Sequence, residues 1–150
     1  NVQKCLSKGL TVIEGDAEKD LLQFPDSSFD FVILSQTLQA FLTPEIVIKE
    51  LLRVGKKAVV TIPNFGFWKI RLHLLLKGTM PITKNLPDEW YNTPNLHMCT
   101  LKDFYNFCEN RNIKLDQSIA LKNEKISTIN KLNLNIKNLS AELGIFLIER

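Results

Sequence analysis

The stretch from Phe29 to Phe41, FDFVILSQTLQAF, constrains the fold more than any other part of the chain. Phe31, Val32, Ile33 and Leu34 form a short apolar run, β-branched and aromatic, preceded by the turn residues Pro25, Asp26, Ser27 and Ser28. Such a run predicts a strand covered on both faces of a sheet. It stops abruptly at Ser35, Gln36 and Thr37, and in open α/β sheets ligands sit beyond the carboxyl ends of the strands. Ser35 and Gln36 are therefore expected to border a binding site.

Before this stretch, Asn1 to Lys8 reads as the end of a helix closed by Gly9, and Leu10 to Ile13 as a short strand. That strand ends at Glu14, Gly15 and Asp16. A Gly-Asp pair after a strand usually makes a turn, because glycine supplies positive φ and aspartate bonds local backbone. The functional alternative is a carboxylate that accepts a hydrogen bond from a ligand amine. After the stretch, Thr43 and Pro44 give a helix N-cap and first turn, Ile48, Leu51 and Leu52 one apolar face, and Gly55 a stop. Ala58 to Ile62 is a second apolar strand, halted by Pro63 and Asn64. Strand, helix and strand in this order predict a right-handed parallel crossover.

From Phe65 to Lys77 the period is helical, with Trp68, Leu72, Leu75 and Leu76 on one side and Lys69, His73 and Lys77 on a solvated other side, ended by Gly78. Arg71 lies between the faces, and its planar fork suits a carboxylate. Residues 79–99 carry three prolines and no period, yet hold Met80, Leu86, Trp90, Tyr91 and Leu96. Linkers are poor in such residues, so 65–99 is expected to form an ordered lid over the sheet's carboxyl edge. His97 near its end is either a structural hydrogen bonder or a catalyst. Thr100 and Asp103 open a helix whose buried face is Leu101, Phe104, Phe107 and Cys108. Ile113 to Leu121 predicts a strand near an edge, 122–142 a long mobile loop rich in Asn, Lys and Ser, and Leu143 to Ile148 a closing strand.

At 150 residues the chain is expected to form one domain. The net charge of +3 is scattered rather than clustered, which argues against nucleic acid. Cys5, Cys99 and Cys108 are odd in number without C-x-x-C spacing, so neither a disulfide framework nor a metal site is suggested, and reduced thiols in a cytoplasmic protein are expected. No apolar run approaches the roughly 18 residues of a membrane span. No carboxylate and histidine share a spacing suited to general base catalysis, so no catalytic residue is assigned.

The runs GDAEKDL and FPDSSFDFVILSQTLQ resemble the third strand, acidic turn and fourth strand of class I S-adenosylmethionine-dependent methyltransferases. PNFGFWKIRL, KGTMPITKNLPDEWYNTPNLHMCTLKDF and KNLSAE are similar, over nearly the whole chain, to one branch, the MetW family of methionine biosynthesis; Lys137 stands where proline is common there. The resemblance implies a Rossmann-like α/β sheet of order 3-2-1-4-5-7-6. The family's first two strands, with the glycine-rich turn after the first and the acidic residue that ends the second, would precede Asn1, so residues 1–150 are expected to be a single partial, N-terminally truncated domain, binding S-adenosylmethionine weakly or not at all by itself. It further implies that Asp16 accepts from the adenine amine beside the Ala17 backbone, and that Ser35 and Gln36 floor the methionine part of the cofactor. Asn64, Tyr91 and His97 become candidates for the acceptor side, and Trp68, Arg71, Trp90 and Tyr91 for a substrate or partner surface. The implied function is action with homoserine O-acetyltransferase in methionine biosynthesis. The alternatives are a free-standing small-molecule methyltransferase or a non-catalytic cofactor-sensing module.

Overall fold

Short helices α1 (Val2–Leu6) and α2 (Ala17–Asp20) precede the first strand in the computed structural model, which describes residues 2–150. Strand β1 (Phe29–Ser35) leads through a short 3-10 turn at Leu38–Ala40 into α3 (Pro44–Val54), which passes without a loop into β2 (Gly55–Pro63). β1 and β2 pair in parallel, Phe29 opposite Gly55 and Ser35 opposite Thr61. Then come α4 (Trp68–Lys77), an irregular segment, α5 (Leu101–Asn110), β3 (Lys114–Lys122), β4 (Lys125–Thr128), α6 (Leu134–Ser140) and β5 (Leu143–Glu149).

The sheet order is β1-β2-β5-β3-β4, and every pair except β1–β2 is antiparallel. Its first four strands reproduce the 4-5-7-6 half of the expected order, with the expected antiparallel final pair. The core lies on one side of this sheet. Leu34 of β1, Ala58, Val60 and Ile62 of β2 and Phe146 and Ile148 of β5 meet Val47, Ile48 and Leu51 of α3 and Leu101, Phe104 and Cys108 of α5. Alternation along a strand sends the intervening residues to the opposite face, and there Phe29, Phe31 and Ile33 are exposed.

Four expectations change. Strand β1 is not covered on both faces: it is the sheet's edge, and Ile33 is 70% exposed. Leu10–Ile13 is irregular rather than a strand, since a strand requires a ladder partner and none lies beside it among the described residues. Residues 122–142 are not one long loop, because Ile119 to Lys122 pairs with Lys125–Thr128 and α6 follows. The two linking residues, Asn123 (φ 45°) and Glu124 (φ 66°), both take left-handed backbone, as a tight hairpin turn demands. Finally, the apolar face foreseen on α4 is open. Only Ile70 is buried there, with Phe67 and Leu86, while Leu75 and Leu76 face solvent because no other helix or strand among the described residues packs closely on α4.

Local signals fare better. Gly78 ends α4 in the left-handed conformation (φ 64°), where its N–H bonds the Leu74 carbonyl. Thr100 and Asp103 form a complete capping box on α5.

Candidate functional site

The parallel pairing brings the carboxyl ends of β1 and β2 side by side, with Ser35 against Thr61. Just past β1, Gln36 is held at φ 52°, and its N–H donates to the Thr61 carbonyl (3.1 Å) and the Thr61 hydroxyl (3.0 Å). Left-handed backbone costs a non-glycine residue roughly 1–2 kcal/mol, so the surroundings impose this turn. The Thr61 hydroxyl in turn reaches Ser35 Oγ at 3.5 Å. Ser35 and Gln36 are both exposed. They thus stand at the strand end as the sequence predicts.

Asp16 is the N-cap of α2, accepting from the Glu18 N–H at 3.0 Å, while Lys19 Nζ lies 3.0 Å from its second oxygen. The Lys19 ammonium and then the Glu18 N–H hold the Asp16 carboxyl below its ordinary range, so it is an anion at neutral pH. The side chain is 48% exposed, and each oxygen keeps lone-pair capacity for a further donor. Ala17 begins the helix beside it. Glu18, which sequence reasoning passed over, fixes this turn against the segment that enters α3. Its carboxylate accepts from the Thr43 hydroxyl (2.6 Å), the Thr43 N–H (2.8 Å) and the Leu42 N–H (3.1 Å). The Thr43 hydroxyl therefore does not cap α3, although Thr43 holds the N-cap position.

A cleft of about 530 Å³ opens at the end of β2, between Pro63, the start of β5 at Leu143, the β3–β4 turn and the lid residues Thr83 to Leu86. Asn64 borders it but is spent on structure: 1% exposed, its amide donates to the carbonyls of Asn138 (2.8 Å) and Ala141 (2.7 Å) and accepts from the N–H groups of Gly66 (2.9 Å) and Leu101 (3.2 Å). Trp68, Arg71, Trp90 and Tyr91 do not line this cleft. Arg71 Nε donates to the Gly66 carbonyl at 2.6 Å, at the start of its own helix. Trp68 packs edge-on to Phe67, and Trp90 and Tyr91 meet edge-to-face with centroids 5.6 Å apart while both remain about 70% exposed. Trp90 and Tyr91 are therefore not packed down onto the sheet.

His97 lies elsewhere, on the wall of a cavity of about 330 Å³ between α3 and α5. Beside it, Gln39 is 1% exposed, and both side-chain atoms of its amide lack a hydrogen-bond partner. The sequence offered one hint, a lone amide set among Leu38, Ala40 and Phe41. Cys99 also borders this cavity, and burial, helped by the Asp103 carboxylate, pushes its thiol up to about 11. It is thus a protonated thiol at neutral pH rather than a nucleophile. Burial likewise raises Cys108 to about 12, as fits the core position predicted for it. Among the described residues no cluster of His, Cys, Asp or Glu could hold a metal, and no helix is long and apolar enough to cross a membrane.

The pattern of the methionine biosynthesis protein MetW family matches residues 1–148. The bifunctional methionine biosynthesis protein MetXA/MetW of Rhodopirellula baltica is 32% identical over 139 residues, which are 90% of this chain but only 22% of that much longer protein. Among solved structures, an S-adenosylmethionine-dependent methyltransferase of Thermotoga maritima, described as a possible histamine N-methyltransferase, superposes with a TM-score of 0.67 at 17% identity. The superposition covers 99% of this chain and 69% of that one. A second such methyltransferase, from Archaeoglobus fulgidus, gives 0.60 at 12% identity, covering 99% and 71%. At these identities the structural likeness establishes a class I methyltransferase-like fold, and the match along the sequence goes further: the chain belongs to the methionine biosynthesis protein MetW family.

Proposed function

We propose that this chain is the methyltransferase-fold component of a methionine-biosynthetic assembly with homoserine O-acetyltransferase, and that the strand ends described above are its part of an S-adenosylmethionine site. The single observation that carries the reading is the Rhodopirellula baltica relative, in which MetXA and MetW are named as two functions of one protein. Two activities joined in one chain act at a high effective concentration, which favours functions that work together.

The residues present fit the cofactor. The anionic Asp16 carboxylate has free acceptor capacity for an adenine amine, and the Ala17 backbone stands next to it. The fixed turn at Gln36 keeps Ser35 and Gln36 at the floor where the methionine part would lie. S-adenosylmethionine supplies an electrophilic methyl group when bound. Methyl transfer depends mainly on aligning the nucleophile with that carbon, and no residue of the chain is assigned a proton-transfer role.

The test is a paired measurement on the protein and its Asp16→Ala variant, co-expressed with homoserine O-acetyltransferase. Both forms are expected to co-purify with the acetyltransferase, whose activity falls when the chain is omitted. Calorimetric S-adenosylmethionine binding by the assembly is expected to weaken by about 1–3 kcal/mol in the variant, as for a lost charge-assisted hydrogen bond. Unchanged cofactor affinity removes the Asp16 assignment. Sustained methyl turnover without the acetyltransferase replaces the assembly with a free-standing methyltransferase.

A further inference from the structure

Among the described residues, the Gln39 amide is the one buried side-chain polar group without a hydrogen-bond partner. Its side-chain N and O are shielded from bulk water and neither has a partner. Leaving such a group unpaired costs about 1–3 kcal/mol, so a fold retains it where something else pairs with it. The residue is not loosely placed. Its carbonyl accepts from the Leu96 N–H at 2.7 Å and from the His97 N–H at 3.0 Å, which clamps the main chain between the 3-10 turn and the end of the lid.

Gln39 lines the cavity of about 330 Å³ between α3 and α5. This volume falls at the small end of the roughly 300–1,000 Å³ typical of ligand sites, which combine apolar walls with a few placed polar groups. The walls here are carbon-rich, with Leu38, Ile48, Phe104 and Phe107 lining the same cavity as Gln39. The two carboxylates that border the cavity are committed already. Glu45 accepts from Arg111 Nε at 2.9 Å and pairs with Lys49 at 3.0 Å, and Asp103 closes the capping box on Thr100. Their negative charge disfavours an anion entering beside them. A primary amide presents one face that donates and accepts side by side, so its complement is another neutral group carrying a donor next to an acceptor.

We propose that this cavity is a binding site for a small, neutral carboxamide on a compact aliphatic body, recognised through the Gln39 side-chain amide. The site is distinct from the strand-end residues assigned to the cofactor, and it requires neither the cofactor nor the acetyltransferase. Both amide atoms are shielded in the structure, so the site includes a displacement of the side chains between the amide and the cavity.

Three probes of one shape test it: isobutyramide, which offers donor and acceptor; methyl isobutyrate, an acceptor alone; and isobutyrate, an anion. Each is titrated into the isotopically labelled protein, following the Gln39 side-chain NH₂ and the Leu38 and Ile48 methyl signals by NMR. Isobutyramide is expected to give saturable shifts at all three residues, the ester about ten-fold weaker ones and the anion none, because a site built for a hydrogen bond rejects analogues lacking it. Gln39→Met, which keeps the length and removes the amide, is expected to abolish the preference for isobutyramide without lowering the melting temperature. The proposal is overturned if no probe gives saturable shifts or if ester and amide bind alike. A lower melting temperature for Gln39→Met also overturns it, since the amide would then be satisfied by an internal water.

Discussion

Asn64 gathers three segments with one side chain. Its four hydrogen bonds join the residues after β2 to the first turn of α5 at Leu101 and to both the body and the end of α6 at Asn138 and Ala141. Gly66 is required beside it, because a Cβ there would stand 2.7 Å from Asn138 Oδ1 and 2.9 Å from Asn64 Oδ1. Asn64→Ala strands two N–H groups and two carbonyls, each costing about 1–3 kcal/mol if water does not replace the partner. A loss of about 3 kcal/mol or more is therefore expected by urea denaturation, and a loss under about 1 kcal/mol would mean that water fills the gap. Nothing local in the sequence announces this role, since Asn138 lies 74 positions away. The runs PNFGFWK, TLKDF and KNLSAE, which resemble the family in sequence, are the very pieces this amide ties together. Part of what makes them distinctive is thus the fold and not the chemistry.

At the scale of elements, signals confined to neighbouring residues translate directly. The Thr100–Asp103 box, Pro44 in the first turn of α3 and Gly78 after α4 each specify a helix end through contacts within a few positions. Elements that depend on a ladder partner do not: Leu10–Ile13 lacks one among the described residues and stays irregular, whereas Lys125–Thr128 meets β3 across a two-residue turn and becomes a strand. Helices α3 and α5 are joined at their exposed edges by the Arg111 guanidinium, which grips both oxygens of Glu45 at 2.9 and 3.0 Å. Arg111 first and Lys49 second hold the Glu45 carboxyl down to about 2 from its ordinary 4.5. A carboxyl depressed in the folded state stabilises above its unfolded pKa, and that contribution fades as pH falls from 4.5 toward about 2. Both side chains are well exposed, so the effect is modest and screened by salt. Across that acid window the urea midpoint of the parent should fall more steeply than that of Arg111→Leu at low salt, and the two slopes should converge at high salt. Parallel slopes at low salt would assign the acid sensitivity to other carboxylates.

For the molecule as a whole, the open edge and the open face coincide at β1. The crossover logic that predicted a parallel β1–β2 pair holds, but helices cover both faces of a parallel sheet only when the chain supplies them on both sides. Here α3 and α5 share one core and leave Phe29 (43% exposed), Phe31 (58%) and Ile33 (70%) on the other face. Apolarity of that run was legible in the sequence; what covers it was not, because the same alternation serves an edge strand and a buried one. Among the described residues the outer side of β1 has no ladder partner in the sheet, and an apolar strand with free N–H and C=O groups is a template for pairing with another chain. These 150 residues alone should therefore self-associate with rising concentration in sedimentation velocity experiments. Placing a like charge on the face should prevent it, since two lysines brought together across a new strand pair repel. Ile33→Lys is the sharpest choice, as its side chain is already the most exposed of the three and the change removes little packing. It should reduce association while leaving the far-ultraviolet circular dichroism and the urea midpoint near those of the parent. A parent that stays monomeric across the range would mean that the edge is guarded by its neighbours, with Lys56 and Asp30, paired at 2.6 Å across the β1–β2 ladder, as the charges closest to hand.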